Sequence, residues 1–313
     1  MAARCRFCGD TAAMPGWPLC RRSRCVQAAL TALAGVVQAT PGVSEHIAGD
    51  DGGTGAAHAA LACDAGSVAT SLPRPADIPL AWPTIVVFGD SLTERGFDEG
   101  GWCSALQNAY AGRAHVSHAG FGGYNTRFAV GMLDQLLGAP PAGGPTDPFA
   151  TVWFGANDAA LPDQAHGWVH VSLPEYRANL ARIIRRFQQH AKRVVVLTPP
   201  PVDGVGRLAY QRRKYGAAAT GALERVDAHT REYAIAAGAV AKAEGALLVD
   251  VNGAMRATDD WPALLVDGLH FTPDGQRFVF RELQRVLATD LSLAAGRLPR
   301  LFPHATDLRP VAD

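Results

Sequence analysis

The chain has no surplus of either charge. Lys and Arg number 29 against 29 for Asp and Glu, a formal net charge of zero. That excludes the basic excess on which an electrostatic nucleic-acid footprint rests. Long apolar runs are also missing. No stretch of the 313 residues reaches the roughly 18 uninterrupted apolar residues that a membrane span requires. Cysteine is scarce in the body of the chain. Cys5, Cys8, Cys20, Cys25 and Cys63 all precede residue 84, and Cys103 alone follows. A fold held by disulfides would spread them through its body, so no oxidised framework is expected there. Cys103 reads as a small core residue.

What is present divides at about residue 80. Residues 1–80 are rich in Ala and Gly, with no lasting helical or strand periodicity. Up to Thr40 they set Arg4, Arg6, Arg21, Arg22 and Arg24 against one acid, Asp10. Arg-rich and acid-poor is the composition of a transit peptide, although serine is scarce; the arginines ahead of apolar residues 26–37 also suit a signal peptide. We read 1–80 as a disordered, low-complexity extension. A cytoplasmic or organellar location is favoured over secretion. The Cys5-x-x-Cys8 spacing suits zinc and Cys20-x4-Cys25 is looser, but no strand or turn pattern frames either pair, so no metal site is assigned.

From Thr84 the pattern is regular. Residues 84–88 are a short β-branched run, as expected of a strand buried on both faces. Further strands are expected at 114–117, 150–154, 193–197 and 246–251. Helical patterns separate them. One opens at Ser172, where Ser172 and Glu175 suit a capping box, and places Leu173, Tyr176, Leu180, Ile183, Ile184 and Phe187 on one face. Another opens at Thr272-Pro273, a cap followed by proline at the first helical position, with Val279, Leu283, Val286 and Leu287 on one stripe. This alternation predicts an α/β domain over 84–288, followed by a tail over 289–313. Its architecture is a flavodoxin-like three-layer α/β/α sandwich around a parallel sheet of about five strands. Ligands in such sheets bind at the carboxyl ends of the strands.

Four short motifs fall at those ends. Gly89-Asp90-Ser91-Leu92 follows the first strand, and Gly120-Phe-Gly-Gly123-Tyr124-Asn125-Thr126 follows the second. Gly155-Ala-Asn157-Asp158 follows the third, and Asp267-Gly-Leu-His270 precedes the last helix. In this order the chain resembles the GDSL/SGNH hydrolases, and it is most similar to their isoamyl-acetate-hydrolysing branch. The runs VVFGDSLTERGF, GFGGYNTRF, WFGANDAAL, HVSLPEYRANL and VDGLHFTPDGQRFVFREL carry the resemblance. It covers about residues 84–288 and departs at His118-Ala119, to which no function is attached.

The resemblance implies a serine esterase acting on small esters with short acyl groups, and the residue types fit that chemistry. A serine hydroxyl is a weak nucleophile until a neighbouring base takes its proton. Ser91 is the expected nucleophile and His270 the base. Asp267 is the carboxylate that orients the imidazole and stabilises its charged form. The Ser91 and Gly123 backbone N–H groups and the Asn157 amide are the expected oxyanion donors. Asp90 and Asp158 are expected to hold loops, and Tyr124, Asn125 and His170 to line the pocket or pack beside it. No cofactor or metal is expected, and the partner is a small-molecule ester.

Each residue taken alone has a plainer use. Ser91 suits a helix cap, and Asn157 and Asp267 suit turns. An α/β-hydrolase would share the Ser, Asp, His order, but its Gly-x-Ser-x-Gly motif is broken here by Thr93. A carbohydrate deacetylase, thioesterase or lysophospholipase would use the same fold and triad. A flavodoxin-like binding module without catalysis is the remaining alternative.

Overall fold

Five short strands, rich in β-branched and other apolar residues, form a single sheet in the computed structural model, which describes residues 82–302. They are β1 (Thr84–Gly89), β2 (His115–Gly120), β3 (Ala150–Trp153), β4 (Val194–Leu197) and β5 (Leu247–Val249). Their order is β2-β1-β3-β4-β5 and every pairing is parallel. This is the doubly wound, flavodoxin-like order. Expectations for residues 1–80, including the paired cysteines and the targeting segment, lie outside the described residues. Cys103, by contrast, is a buried free thiol.

Eight α-helices among the described residues connect the strands. They are α1 (Ser91–Glu94), α2 (Trp102–Ala109), α3 (Thr126–Leu137), α4 (Leu173–Gln188), α5 (Gly204–Tyr215), α6 (Asp227–Ala243), α7 (Val251–Arg256) and α8 (Pro273–Leu287). Alternate strand residues serve opposite faces of the sheet, as the pleat requires. Ile85, Val87, Val195 and Leu197 pack with Trp102 and Leu106 of α2, Met255 of α7 and Val279 and Leu283 of α8. Phe88, Val152, Val194 and Val196 pack with Leu133 of α3, Ile183 and Phe187 of α4 and Tyr233 of α6. The sheet is therefore covered on both sides, which is why its central strands β1, β3 and β4 read as continuous apolar runs.

Three details depart from the sequence pattern. The strand expected at 246–251 covers only Leu247–Val249, because Asp250 caps a helix that starts at Val251. The second strand starts at His115 and runs to Gly120, beyond the expected 114–117, because its ladder with β1 continues to Gly89 opposite Gly120. It is an edge strand, so its polar residues tolerate the exposed side. The capping box at Ser172 does not form. Ser172 stands at the N-cap position without a side-chain cap bond. Glu175 instead makes a two-pronged ion pair with Arg127 of α3, at 2.7 Å for both prongs. Both oxygens of the Glu175 carboxylate are engaged by Arg127, so it does not reach back to the Ser172 N–H as a capping box requires. The cap at Thr272 forms as expected, with its hydroxyl accepting from the Gly275 N–H.

Of the described residues after α8, Leu293 and Leu301 bond back to the domain. Leu293 is buried and its carbonyl accepts from the Tyr110 hydroxyl. The Leu301 N–H donates to Gly112.

The strand order reverses between β1 and β3, and this switch point opens the crevice in which such sheets bind ligands. At the end of β1 the chain turns under severe crowding. A Cβ on Gly89 would lie 2.2 Å from Thr93 Oγ1 and 2.7 Å from the Trp153 carbonyl. Only glycine passes there, and the next residues emerge above the carboxyl edge.

Candidate active site

Ser91 is the first residue of α1, and the helix is capped by Asp90, whose carboxylate accepts from the Leu92 N–H at 2.9 Å. The capping use that Ser91 alone suggested thus falls to its neighbour. The serine hydroxyl is free for another contact, and it lies 2.8 Å from His270 Nε2.

His270 comes from a tight loop ahead of α8. The Val266 N–H donates to the His270 carbonyl at 2.7 Å, and Leu265 bridges Phe271. Within this loop Asp267 uses both oxygens. Oδ1 accepts from the N–H groups of Leu269 and His270 at 3.1 and 2.8 Å, and Oδ2 faces His270 Nδ1 at 2.8 Å. The backbone bonds aim the carboxylate at the ring. Gln276 of α8 joins this loop to the serine turn, accepting from the Trp102 N–H and donating to the Arg95 carbonyl. Gln276 escaped the sequence reading because it looks like an ordinary polar helix residue.

Burial holds the His270 imidazolium below its ordinary pKa, Asp267 opposes this, and the Arg95 and Arg207 charges add to the lowering. Burial would raise the Asp267 carboxyl, but its bonds to His270 and the nearby Arg207 hold it well below the usual carboxylate range. The imidazole thus lies between the Ser91 hydroxyl and the Asp267 carboxylate, in surroundings whose burial disfavours its charged form.

The second and third motifs follow β2 and β3 and carry Gly123 and Asn157. Gly123 has φ +82°, a left-handed conformation that L side chains rarely adopt, and a Cβ there would meet nothing within 4 Å. The expectation of glycine at this position stands on backbone conformation rather than on crowding by protein. Asn157 is buried, with its Nδ2 donating to the Tyr124 carbonyl at 2.8 Å and its Oδ1 accepting from Arg225 at 2.7 Å.

Asp158 caps the start of α3 from outside, accepting from both the N–H and the hydroxyl of Thr126. Burial raises Asp90 to about 7, with the Asp158 charge adding and the Leu92 N–H opposing. Burial likewise raises Asp158 to about 6. One oxygen of each finds no protein partner among the described residues. Asn125 is fully buried; its Oδ1 caps α3 and its Nδ2 donates to Val169. Both ends of its amide are thus engaged by backbone. His170 is half-buried with Nδ1 at 2.8 Å from the Ala160 carbonyl. The Tyr124 ring is also half-buried, between Phe121 and Phe128. Arg207, Glu224 and Arg225, all buried next to these residues, went unnoticed in the sequence. Glu224-Arg225 reads there as an ordinary surface pair. Among the described residues, no three His, Cys, Asp or Glu side chains gather as a metal site, and no helix is long and apolar enough to cross a membrane.

A flavodoxin-like sheet with serine, histidine and aspartate in hydrogen-bonded series above its carboxyl edge defines a class, the SGNH-type ester hydrolases. A model of the GDSL-like lipase/acylhydrolase family matches residues 87–278. The chain belongs to this family and is a carboxylic ester hydrolase. It is 40% identical to a GDSL esterase/lipase of Arabidopsis thaliana over 226 residues, 71% of this chain and 92% of that one. It is 35% identical to the isoamyl acetate-hydrolyzing esterase 1 homolog of Bos taurus, over 74% of this chain and 90% of that one. Among solved structures, a lipase/acylhydrolase from Enterococcus faecalis shares the fold with a TM-score of 0.51 at 24% identity, covering 70% of this chain and 98% of that one.

Proposed function

We infer that the enzyme hydrolyses small carboxylic esters, acetate-type acyl groups above all, with Ser91 as nucleophile, His270 as general base and Asp267 as the orienting carboxylate. The observation that carries this reading is the continuous series from Ser91 Oγ to His270 Nε2 and from His270 Nδ1 to Asp267 Oδ2, 2.8 Å at each step.

His270 Nε2 takes the hydroxyl proton as Ser91 Oγ attacks the ester carbonyl carbon. The carbonyl oxygen becomes an oxyanion and needs donors already aimed at it. The Ser91 N–H, the Gly123 N–H and the second N–H of Asn157 fill that role. The amides flanking Ser91 are engaged, with Asp90 donating to Trp153 and Leu92 to the Asp90 carboxylate. His270 then protonates the departing alcohol. A water molecule attacks the acyl-enzyme with the same imidazole as base, and His270 returns that proton to Ser91 Oγ as the acid leaves. Asp267 holds the ring in one tautomer throughout and stabilises the transient imidazolium. The preference for short acyl groups is supported by likeness to relatives named for isoamyl acetate.

A serine-directed phosphonate is expected to label Ser91 and no other serine. Labelling elsewhere overturns the nucleophile assignment. Along a p-nitrophenyl series, kcat/KM should fall sharply by octanoate, since a filled acyl pocket rejects each added methylene by roughly 1–3 kcal/mol. A rise with chain length overturns the acyl preference and leaves the hydrolase reading intact.

A further inference from the structure

Three charged side chains lie buried beside the site, Arg207 at 3%, Glu224 at 1% and Arg225 at 2% exposure. Glu224 Oε1 accepts from Arg207 Nη2 and, at 3.2 Å, from Arg225 Nη1. Its Oε2 accepts from the Tyr215 hydroxyl at 3.0 Å and faces His166 Nδ1 at 3.3 Å. The outer arms of the two guanidiniums reach the site. Arg225 donates from Nε to the Ala156 carbonyl at 2.8 Å and from Nη2 to Asn157 Oδ1 at 2.7 Å. Arg207 Nη1 lies 3.4 Å from Asp267 Oδ2. Two cations thus alternate with two anions, from the Asn157 amide at one end to the Asp267 carboxylate at the other.

The backbone carrying Glu224 is itself pinned. Its N–H donates to Gln211 Oε1 at 3.1 Å and its carbonyl accepts from Leu161 at 2.9 Å. Gln211 also donates to Ala222 at 2.8 Å. Burial pushes Arg225 down to about 10, with Arg207 adding and Glu224 opposing. Burial would raise Glu224, but Arg225 and Arg207 hold its carboxyl below the ordinary value.

Such a bridge is a poor way to add stability. Taking ions out of water costs free energy that their mutual attraction only partly returns, and apolar residues of similar volume usually do as well. What an ionic bridge supplies is direction. The guanidinium presents its donors in a rigid planar fork. Arg225 grips the Ala156 carbonyl and Asn157 Oδ1 together, so the Asn157 amide cannot flip. With one N–H on the Tyr124 carbonyl, the other is left a single direction. Arg207 acts more loosely, because 3.4 Å is beyond the usual hydrogen-bond optimum.

Resting on the roles read for Asn157 and Asp267, we propose that Glu224 and Arg225 are positioning residues. Glu224, clamped between two arginines, fixes Arg225, and Arg225 aims the free N–H of Asn157 at the oxyanion, while Arg207 ties the same unit to Asp267.

The test is a mutant cycle on the full chain with p-nitrophenyl acetate as substrate. Arg225→Met should lower kcat about 10- to 100-fold with KM within about twofold, because an oxyanion donor counts chiefly in the transition state. Arg225→Lys, which keeps the charge and loses the fork, and Glu224→Gln should move kcat in the same direction by smaller factors. In an Asn157→Ala background, Arg225→Met should cost less than about threefold more, since its effect passes through the missing amide. Thermal melting of each variant separates folding from function, and if Arg225→Met fails to fold, Arg225→Lys and Glu224→Gln carry the same cycle. Wild-type kcat in the folded Arg225 variant, a loss confined to KM, or a loss that multiplies fully with Asn157→Ala overturns the inference. Wild-type kcat in Asn157→Ala overturns the oxyanion role itself and this inference with it.

Discussion

The two halves of the proposed site, one for the base and one for the oxyanion, are built in opposite ways. The base half is local. Asp267 and His270 stand three residues apart, and the carboxylate is aimed by two backbone N–H groups of its own loop. The oxyanion half is assembled from distant segments. Asn157 is held by Arg225, 68 residues away, and by the carbonyl of Tyr124, 33 residues away. A short loop can orient an acid and a base because backbone bonds and one side-chain contact suffice. In the oxyanion role proposed for Asn157 the amide must be held in one direction, and the buried Arg225–Glu224–Arg207 bridge is the frame proposed to hold it. The halves are joined twice, by Ser91 Oγ against His270 and by Arg207 against Asp267.

Breaking the junction should produce the largest effect. Ser91→Ala and His270→Ala are each expected to lower kcat by about five to six orders of magnitude, and the double variant should lose little more, because the pair acts as a unit. Multiplying losses, measured by single-turnover kinetics, would show that the two residues work separately. Within the base half, Asp267→Asn should lower kcat by about three to four orders of magnitude through the wrong tautomer. Near wild-type turnover would mean that the local loop does not orient the histidine.

The smallest expected effect is a displacement of the pH profile. His270 must be neutral to accept a proton, and burial disfavours its charged form. The acid limb of kcat/KM should therefore bend below about pH 6.5, the ordinary histidine value. Asp267 stabilises the imidazolium, so the residual activity of Asp267→Asn should bend at still lower pH. A shift toward higher pH would contradict the assigned balance of burial and carboxylate.

Much of the fold was legible because it is periodic. The β-branched runs at 84–88 and 193–197, and the stripe from Tyr176 to Phe187, announce strands and a helix that pack on both faces of a sheet. Strand ends were less legible, since β2 continues to Gly120 on ladder bonds that its polar side chains do not advertise. Ser172 and Glu175 illustrate a local rule overruled from outside, by Arg127 on another helix. Asp90 caps α1, the use that Ser91 alone had suggested.

Read alone, the chain was enough to assign the layered α/β class, the three motifs at strand ends and the fourth ahead of the last helix, with Asp267 beside His270. All of these rest on residues close in sequence, where periodicity, turn chemistry and short-range hydrogen bonds act. Only the folded chain decided which ions would be buried together. Arg207, Glu224 and Arg225 carry no periodic signal, and their meaning comes from removal from water. Exposed, they would be ordinary solvated charges. Enclosed between the crossovers of a parallel sheet, each must find a partner, and the partners at hand are one another and the side chains of the site.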